Sequence, residues 1–122
     1  MPVSVFTDTL SVLETVVKYL KETHGLTYHA IGGLIGRDER NVWHTYHVAQ
    51  KKHPSRLDIR ESSYFLPVSL FRNDKYSALE TVTRYLKDRF GLPYRDIATL
   101  LKRDQRTIWT VHHRSQEKDG TQ

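Results

Sequence analysis

The 122-residue chain contains no cysteine, which excludes a disulfide framework and a zinc site built on thiolates. It has no apolar run near the roughly 20 residues that a membrane-spanning helix needs. Its start, MPVSVFTDTL, lacks the basic and then apolar layout of a signal peptide. We therefore expect a soluble, cytoplasmic protein with no membrane association.

The signatures of common enzymes are missing as well. There is no cysteine nucleophile, no glycine-rich phosphate loop and no clustered pair of carboxylates. Seven histidines are present, including His44 with His47 and His112 with His113, but no carboxylate or cysteine completes a tetrahedral set around either pair. We expect no enzyme activity, no cofactor and no metal.

Basic residues are in excess. Lysine and arginine outnumber aspartate and glutamate by 19 to 14, and the sequence pI is near 9.6. Such a balance favours a polyanionic partner.

The main feature that is present is an internal repeat. PVSVF at Pro2–Phe6 (arm one) returns as PVSLF at Pro67–Phe71 (arm two). After a one-residue insertion, 13–52 aligns without gaps to 79–118, with 19 identities in 40 positions. This similarity is far above chance and indicates a duplication.

The repeat sets the domain boundaries. Unit one spans 2–52, a linker spans 53–66, unit two spans 67–118, and 119–122 is expected to be a disordered tail. The linker carries Pro, Ser and mixed charge. Its end, SSYFLPVSLF, is apolar enough to pack as an extended segment.

Each unit is predicted to contain three helices, so the fold class is all-α, with a short extended arm before each unit. Ser11 with Glu14, and Ser77 with Glu80, form capping boxes that start the first helices. The second helices are predicted at 28–35 and 94–101, and the third helices run to about Lys51 and Glu117. Apolar spacing predicts that the second helices are buried through Ile31, Leu34, Ile35, Ile97, Leu100 and Leu101.

The apolar core is thin for units of about 50 residues. Support from the arms, or packing of one unit on the other, is therefore expected. We predict that Phe6 and Phe71 are buried against the helices.

A helix, a short turn and a second helix form the helix-turn-helix signature. Both units resemble the DNA-reading C-terminal region of bacterial sigma factors and the related response-regulator output domains. The matching residues are Gly25-Leu26-Thr27, Ile31-Gly32, Ile35-Gly36 and Val42 in unit one, and Gly91-Leu92, Ile97-Ala98, Leu101 and Ile108 in unit two. The resemblance implies a tandem helix-turn-helix protein that binds double-stranded DNA through its third helices.

Three features depart from that family. Arg37 and Arg103 stand in the turn, where an apolar residue is usual, and a Trp lies in each third helix. Lys102 replaces the turn glycine and is predicted to need a positive φ. No other sigma region is present, so a sigma factor is not predicted.

Helical spacing assigns the faces of the third helices. Val42, Tyr46 and Ala49 are predicted to point inward. The outward set, with its flanking residues, is Arg40, Trp43, His44, His47 and Gln50 in unit one, and Arg106, Trp109, Thr110, His113 and Gln116 in unit two.

Arg40 and Arg106 are the best candidates for reading bases, because a guanidinium matches the O6 and N7 atoms of guanine. An intramolecular salt bridge or a phosphate contact is the alternative. Phosphate contacts are expected from Arg37, Arg103, Lys51, Lys52, Lys102 and Arg114.

Trp43 and Trp109 have two interpretations. Each can contact DNA, but packing against an arm or the other unit is favoured, since Trp is more often an anchor. Asp38 and Asp104 are predicted to be N-caps. The outward positions that differ between units, Glu39/Gln105, Asn41/Thr107 and His44/Thr110, predict related but non-identical half-sites.

The sequence thus predicts a monomeric pseudo-dimer of DNA-binding heads, with further oligomerisation left open. A role as a nucleoid-associated transcriptional regulator is favoured. Unit one has six basic against five acidic residues and unit two has eleven against six, so unit two should supply most of the phosphate affinity.

Two alternatives remain. In one, the near-neutral unit one binds a protein such as an RNA polymerase subunit while unit two binds DNA. In the other, the chain is an accessory DNA-binding protein of a mobile element or partition system.

Overall fold

The computed structural model describes residues 1–120, and within them the chain is all-α, as predicted. Two three-helix units follow one another along the chain. The helices are α1 (Val12–Glu22), α2 (Tyr28–Ile35), α3 (Glu39–Lys52), α4 (Ala78–Phe90), α5 (Tyr94–Leu101) and α6 (Gln105–Gly120). The arms are not extended throughout, because each contains a 3₁₀ turn, at Val3–Val5 and Val68–Phe71.

Side-chain caps fix where the helices begin. Ser11 and Ser77 each accept from the backbone N–H of the glutamate three residues later, and that glutamate accepts from the serine N–H. Both capping boxes are confirmed. Asp38 and Asp104 accept from the backbone N–H of Arg40 and Arg106, each at 2.7 Å, so both are N-caps of the third helices.

The ends of the helices show where the duplicated units diverge. Gly91 ends α4 in the left-handed region, with φ of 64°. Gly25 has a similar φ of 62°, but α1 ends earlier, at Glu22. Lys102 ends α5 with φ of 54°, as predicted, and occupies the conformation that Gly36 adopts after α2 with φ of 68°.

Within each unit the third helix packs on the first and second helices. Ile31, Ile35 and Val42 are buried in unit one, as are Ile97, Leu101 and Ile108 in unit two. The prediction for Leu34 was wrong, since its side chain is 43% exposed. In an eight-residue helix, burial of the 31/35 stripe leaves position 34 on the outer edge.

Each arm packs against the short helix of the other unit. Arm one lies on α5, whereas arm two lies on α2 and on α4 of its own unit. Phe6 and Phe71 are 1% and 3% exposed, which confirms that both rings are buried. Helix α1 also lies against α4. The two units therefore share one core, and both forms of support expected from the thin core are present.

The linker is anchored rather than loose. Its end is extended, as predicted, and pairs with the start of the chain. The Val3 N–H donates to the Tyr64 carbonyl at 3.0 Å, and the Leu66 N–H donates to the Met1 carbonyl at 2.8 Å. The Ser4 hydroxyl donates to the Arg60 carbonyl at 2.7 Å, and Leu57 is buried. These contacts hold the units at one relative position.

The prediction of a disordered tail at 119–122 was wrong for its first two residues, because α6 continues to Gly120. Asp119 forms an ion pair with Arg84 at 2.8 Å and accepts a hydrogen bond from the Tyr76 hydroxyl. The bond from Tyr76, together with Lys75 and Arg84, lowers the pKa of Asp119 to about 2 despite some burial. Residues 121–122 lie outside the described part of the chain.

No helix within residues 1–120 combines the length and the apolar character that a bilayer crossing demands.

The left-handed residues after α2 and α5 give a paired test of stability. Lys102→Gly should raise the free energy of unfolding by about 0.5–1 kcal/mol, because it relieves the side-chain cost of positive φ but adds backbone entropy to the unfolded chain. Gly36→Ala should lower it by about 1–2 kcal/mol, because a Cβ there also meets the Arg72 Cγ at 3.1 Å. Urea denaturation measures both. Equal effects of the same sign would contradict this interpretation.

Candidate nucleic-acid interface

The outward face of α3 carries polar and aromatic side chains, whereas its inner face is buried. Val42 and Ala49 are 1% and 0% exposed, whereas Arg40 and His44 face solvent. Tyr46, predicted to point inward, is partly buried and donates its hydroxyl to Glu22 at 2.8 Å. Burial, followed by the contact with Glu22, raises the pKa of Tyr46 to about 12. The inner face is thus fixed, and the orientation of the outer face follows from it.

Helix α6 repeats this arrangement. Ile108 is 0% exposed, and Ser115 is buried at the position of Ala49. Arg106 and Thr110 are exposed, and His113 is partly exposed. The Thr110 hydroxyl donates to the Arg106 carbonyl at 2.9 Å, so its oxygen remains available as an acceptor.

The two tryptophans do not pack on an arm or on the other unit, which corrects the favoured prediction. Trp43 and Trp109 are 48% and 49% exposed. Each indole stacks on the histidine one turn later, with ring centroids 3.9 Å apart for Trp43–His47 and 3.8 Å apart for Trp109–His113. The arms contact the second helices instead, which leaves the third helices' outer faces uncovered.

The stacked histidines are also held by the backbone. Nδ1 of His47 is 2.8 Å from the Trp43 carbonyl, and Nδ1 of His113 is 2.9 Å from the Trp109 carbonyl. A carbonyl only accepts, so Nδ1 carries the proton and Nε2 is left for an outside partner. This pairing was not predicted, although the spacing of Trp and His at i and i+4 in both units was a sequence signal for it.

Shallow grooves run along both outer faces. In α3 the groove is lined by Asp38, Arg40, Asn41, Trp43 and His44. In α6 two adjoining grooves share Asp104 and Arg106 and include Gln105, Thr107, Trp109, Thr110 and Arg114. Most of the predicted base-facing residues therefore gather on one surface in each unit. Glu39 is also exposed, and its carboxylate lies 3.9 Å from His29 Nδ1.

Arg103 was predicted to hold phosphate, but in the structure its guanidinium is engaged by unit one. Its guanidinium donates to the Thr7 carbonyl at 2.9 Å and to the Leu10 carbonyl at 2.7 Å, both in unit one. Its position in the turn after α5 brings it against the chain between arm one and α1. Arg37 is likewise only partly exposed, and its Nε is buried. Arg103 therefore belongs to the contact between units.

The remaining basic candidates separate into free and paired groups. Lys51, Lys102 and Arg114 are exposed. Lys52 forms an ion pair with Glu14 at 3.0 Å, and Lys118 repeats it with Glu80 at 2.5 Å. Burial of each glutamate opposes ionisation, but hydrogen bonds from the lysine and the capping serine hold the pKa of both below the usual range. Lys52 is thus a weaker phosphate candidate than predicted.

The glutamine shared by both units has no common role. Gln50 accepts from the buried Lys18 Nζ at 2.9 Å and donates to the Pro54 carbonyl at 3.3 Å. Gln116 is exposed, and the residue at the Lys18 position is Arg84, which donates to Ser115 at 3.2 Å. Gln50 therefore supports unit one internally and is not part of its outer face.

The inter-unit role of Arg103 predicts a stability effect. Arg103→Ala should lower the free energy of unfolding by about 1.5–3 kcal/mol, because two charge-assisted hydrogen bonds to the partly buried Thr7 and Leu10 carbonyls are lost. Arg114→Ala, an exposed arginine of α6, is the matched control and should change stability by less than about 0.5 kcal/mol. Chemical denaturation checks both, and equal effects would argue against an interface role for Arg103.

His112 of unit two holds the position of Tyr46 in unit one, and its burial predicts a pH effect on stability. Burial lowers the pKa of His112; Asp88 opposes this, whereas Arg84, His113 and Lys87 reinforce it. The unfolded chain takes up the proton first as pH falls, so the stabilisation is complete above pH ~6.5 and is lost below it.

His112→Tyr, which places the unit-one residue there, should therefore reduce the fall in melting temperature between pH 7.5 and 5.5. His29→Gln, at an exposed position, should keep the wild-type fall. An unchanged pH profile in His112→Tyr would count against this assignment.

Within residues 1–120, no three His, Asp or Glu side chains converge into a set able to hold a metal ion. No protein-family model, curated protein or solved structure matches this chain.

Proposed function

We propose that this chain is a sequence-specific double-stranded DNA-binding protein that acts as a covalent pseudo-dimer in transcription regulation. The observation that carries the proposal is a surface that occurs in both units, on the outer faces of α3 and α6. Each third helix carries an exposed arginine, a half-exposed tryptophan and a histidine stacked on that tryptophan at the same positions, on a helix-turn-helix whose opposite face is buried. An exposed helix face of this kind fits the DNA major groove.

Arg40 and Arg106 are the residues assigned to base recognition. Each lies in the first turn of its helix, the end that reaches base edges in helix-turn-helix complexes. The aspartate caps bind the arginine backbone N–H groups and not the guanidinium groups. Both side chains are exposed, and neither forms an ion pair within the described residues. The intramolecular salt bridge that was the alternative for these two arginines is therefore not formed.

The Trp–His stacks are assigned to the sides of the groove. A half-exposed indole supplies apolar area for a sugar or a thymine methyl group. The stacked histidine, with Nδ1 bound to a carbonyl, offers Nε2 to a phosphate, as a donor once protonated. Removal of either ring should weaken binding less than removal of the arginines.

Lys51, Lys102 and Arg114 are assigned to phosphate contacts, because all three are exposed. Arg103 is not assigned to DNA. The greater excess of basic residues in unit two makes it the main source of salt-dependent affinity.

A second candidate function follows from the same charge asymmetry. Unit one has nearly balanced charge and exposes Glu39 beside Arg40. In that case α3 would bind a protein, such as an RNA polymerase subunit, and α6 alone would bind DNA. A role as an accessory protein of a mobile element or partition system uses the same DNA-binding surface and differs only in the location of the site.

The test compares arginine variants on a duplex obtained by selection from a random library. Arg40→Ala and Arg106→Ala should each weaken binding by about 1–3 kcal/mol and relax the base preference at one position. Arg60→Ala, an exposed linker arginine, is the matched control and should bind as the wild type does. Fluorescence anisotropy at several salt concentrations gives the affinities and salt slopes.

The outcomes separate the candidates. Loss of affinity in Arg106→Ala with none in Arg40→Ala supports the adaptor function. No selected duplex, with weak binding unaffected by either substitution, would overturn DNA recognition by these helices.

A further inference from the structure

The contacts between the two units are reciprocal. Arm one packs on α5 of unit two, and arm two packs on α2 of unit one. Helix α1 lies against its own counterpart, α4. A head-to-tail arrangement would join two different surfaces and leave no reciprocal contact, whereas a two-fold axis joins each surface to its copy. These reciprocal contacts indicate that an approximate internal two-fold axis relates the units and passes through the α1–α4 contact.

The residue that ends each second helix lies beside the residue that follows the other unit's arm. After α5, Lys102 and Arg103 lie beside the residues that follow arm one, and Arg103 donates to Thr7 and Leu10. After α2, Gly36 lies beside Arg72, the residue that follows arm two. A Cβ added at Gly36 would be 3.1 Å from the Arg72 Cγ. Thr7 and Arg72 hold equivalent positions, as do Gly36 and Lys102. This correspondence extends the two-fold relation to single residues.

We infer that the DNA target is an imperfect inverted repeat, read by α3 on one half-site and by α6 on the other. The inference rests on the proposed function. Each third helix is held by its own unit, so the axis that relates the units also relates α3 to α6. A two-fold operator reverses one helix relative to the other, and only half-sites in inverted order have that symmetry.

The repeat is imperfect because the helices differ at defined positions. Arg40 and Arg106 are equivalent, so both half-sites should contain the same guanine at the same distance from the centre. The outward pairs Glu39/Gln105, Asn41/Thr107 and His44/Thr110 differ, so the flanking bases should differ between half-sites. The protein then binds its site in one orientation only.

The half-site spacing is fixed as well. The linker is tied to arm one through Tyr64, Leu66 and Arg60, and Arg103 joins unit two to unit one. One spacing should therefore be preferred, unlike two heads on a loose tether, which would tolerate many.

The experiment uses the full chain and a library of random duplexes. The selected half-sites are then placed in inverted order, in direct order, and singly. We expect the inverted duplex to bind at least ten-fold more tightly than either other form, with one protein on one duplex by mass photometry. Insertion of half a helical turn, about 5 base pairs, should remove this advantage.

A matched variant removes the differences at these three outward pairs. Gln105→Glu, Thr107→Asn and Thr110→His give α6 the α3 residues there, and all three positions are exposed. Selection with this triple variant should yield a perfect palindrome, whereas the wild type should yield an imperfect one.

Several results would overturn the inference while leaving DNA binding intact. These are equal or tighter binding of the direct repeat, full affinity for a single half-site, a direct repeat selected by the triple variant, or two duplexes on one protein. Failure to bind any duplex at low salt would instead overturn the proposed function itself.

Discussion

The exchange of arms between the units is the constraint on which the rest of the structure depends. Val3, Val5 and Phe6 are each at most 1% exposed, and full burial of such a side chain contributes roughly 1.5–3 kcal/mol. Their sum is comparable to the total stability of a small domain, about 5–15 kcal/mol. A single unit separated from its partner would lose the part of this burial that the other unit supplies, and the surface of its short helix would be exposed. The duplicated units therefore form one structural body.

This shared core explains the roles of residues that a helix-turn-helix pattern alone does not assign. The turn after each second helix lies near the other unit, so Arg103 is engaged at the contact between units and Gly36 lies beside Arg72. Arg103 joins unit two to the Thr7 and Leu10 carbonyls of unit one. Arg72 restricts the space that a Cβ at position 36 would occupy, so glycine fits there. The position of the turn is thus coupled to the packing of the units.

The same packing leaves the third helices free. Because the arms cover the second helices, nothing from the described chain covers the outer faces of α3 and α6. Trp43 and Trp109 remain half exposed, and their histidine partners order them. An exposed aromatic that is already held in one rotamer binds a partner at a smaller entropic cost than a mobile one. This pre-ordering occurs in both units and supports a role in binding.

The sequence by itself determined the features that depend on local physics. Capping serines and aspartates and the left-handed Lys102 were predicted correctly, because hydrogen bonds within a few residues decide them. The thin core of each unit also predicted that Phe6 and Phe71 are buried. Tertiary structure alone decided that the arms exchange, that the tryptophans are exposed, that Arg103 binds carbonyls across the interface, and that α6 extends past Asp119. Each depends on which surfaces meet across long sequence separations, and neither periodicity nor residue type specifies the partner of an apolar face.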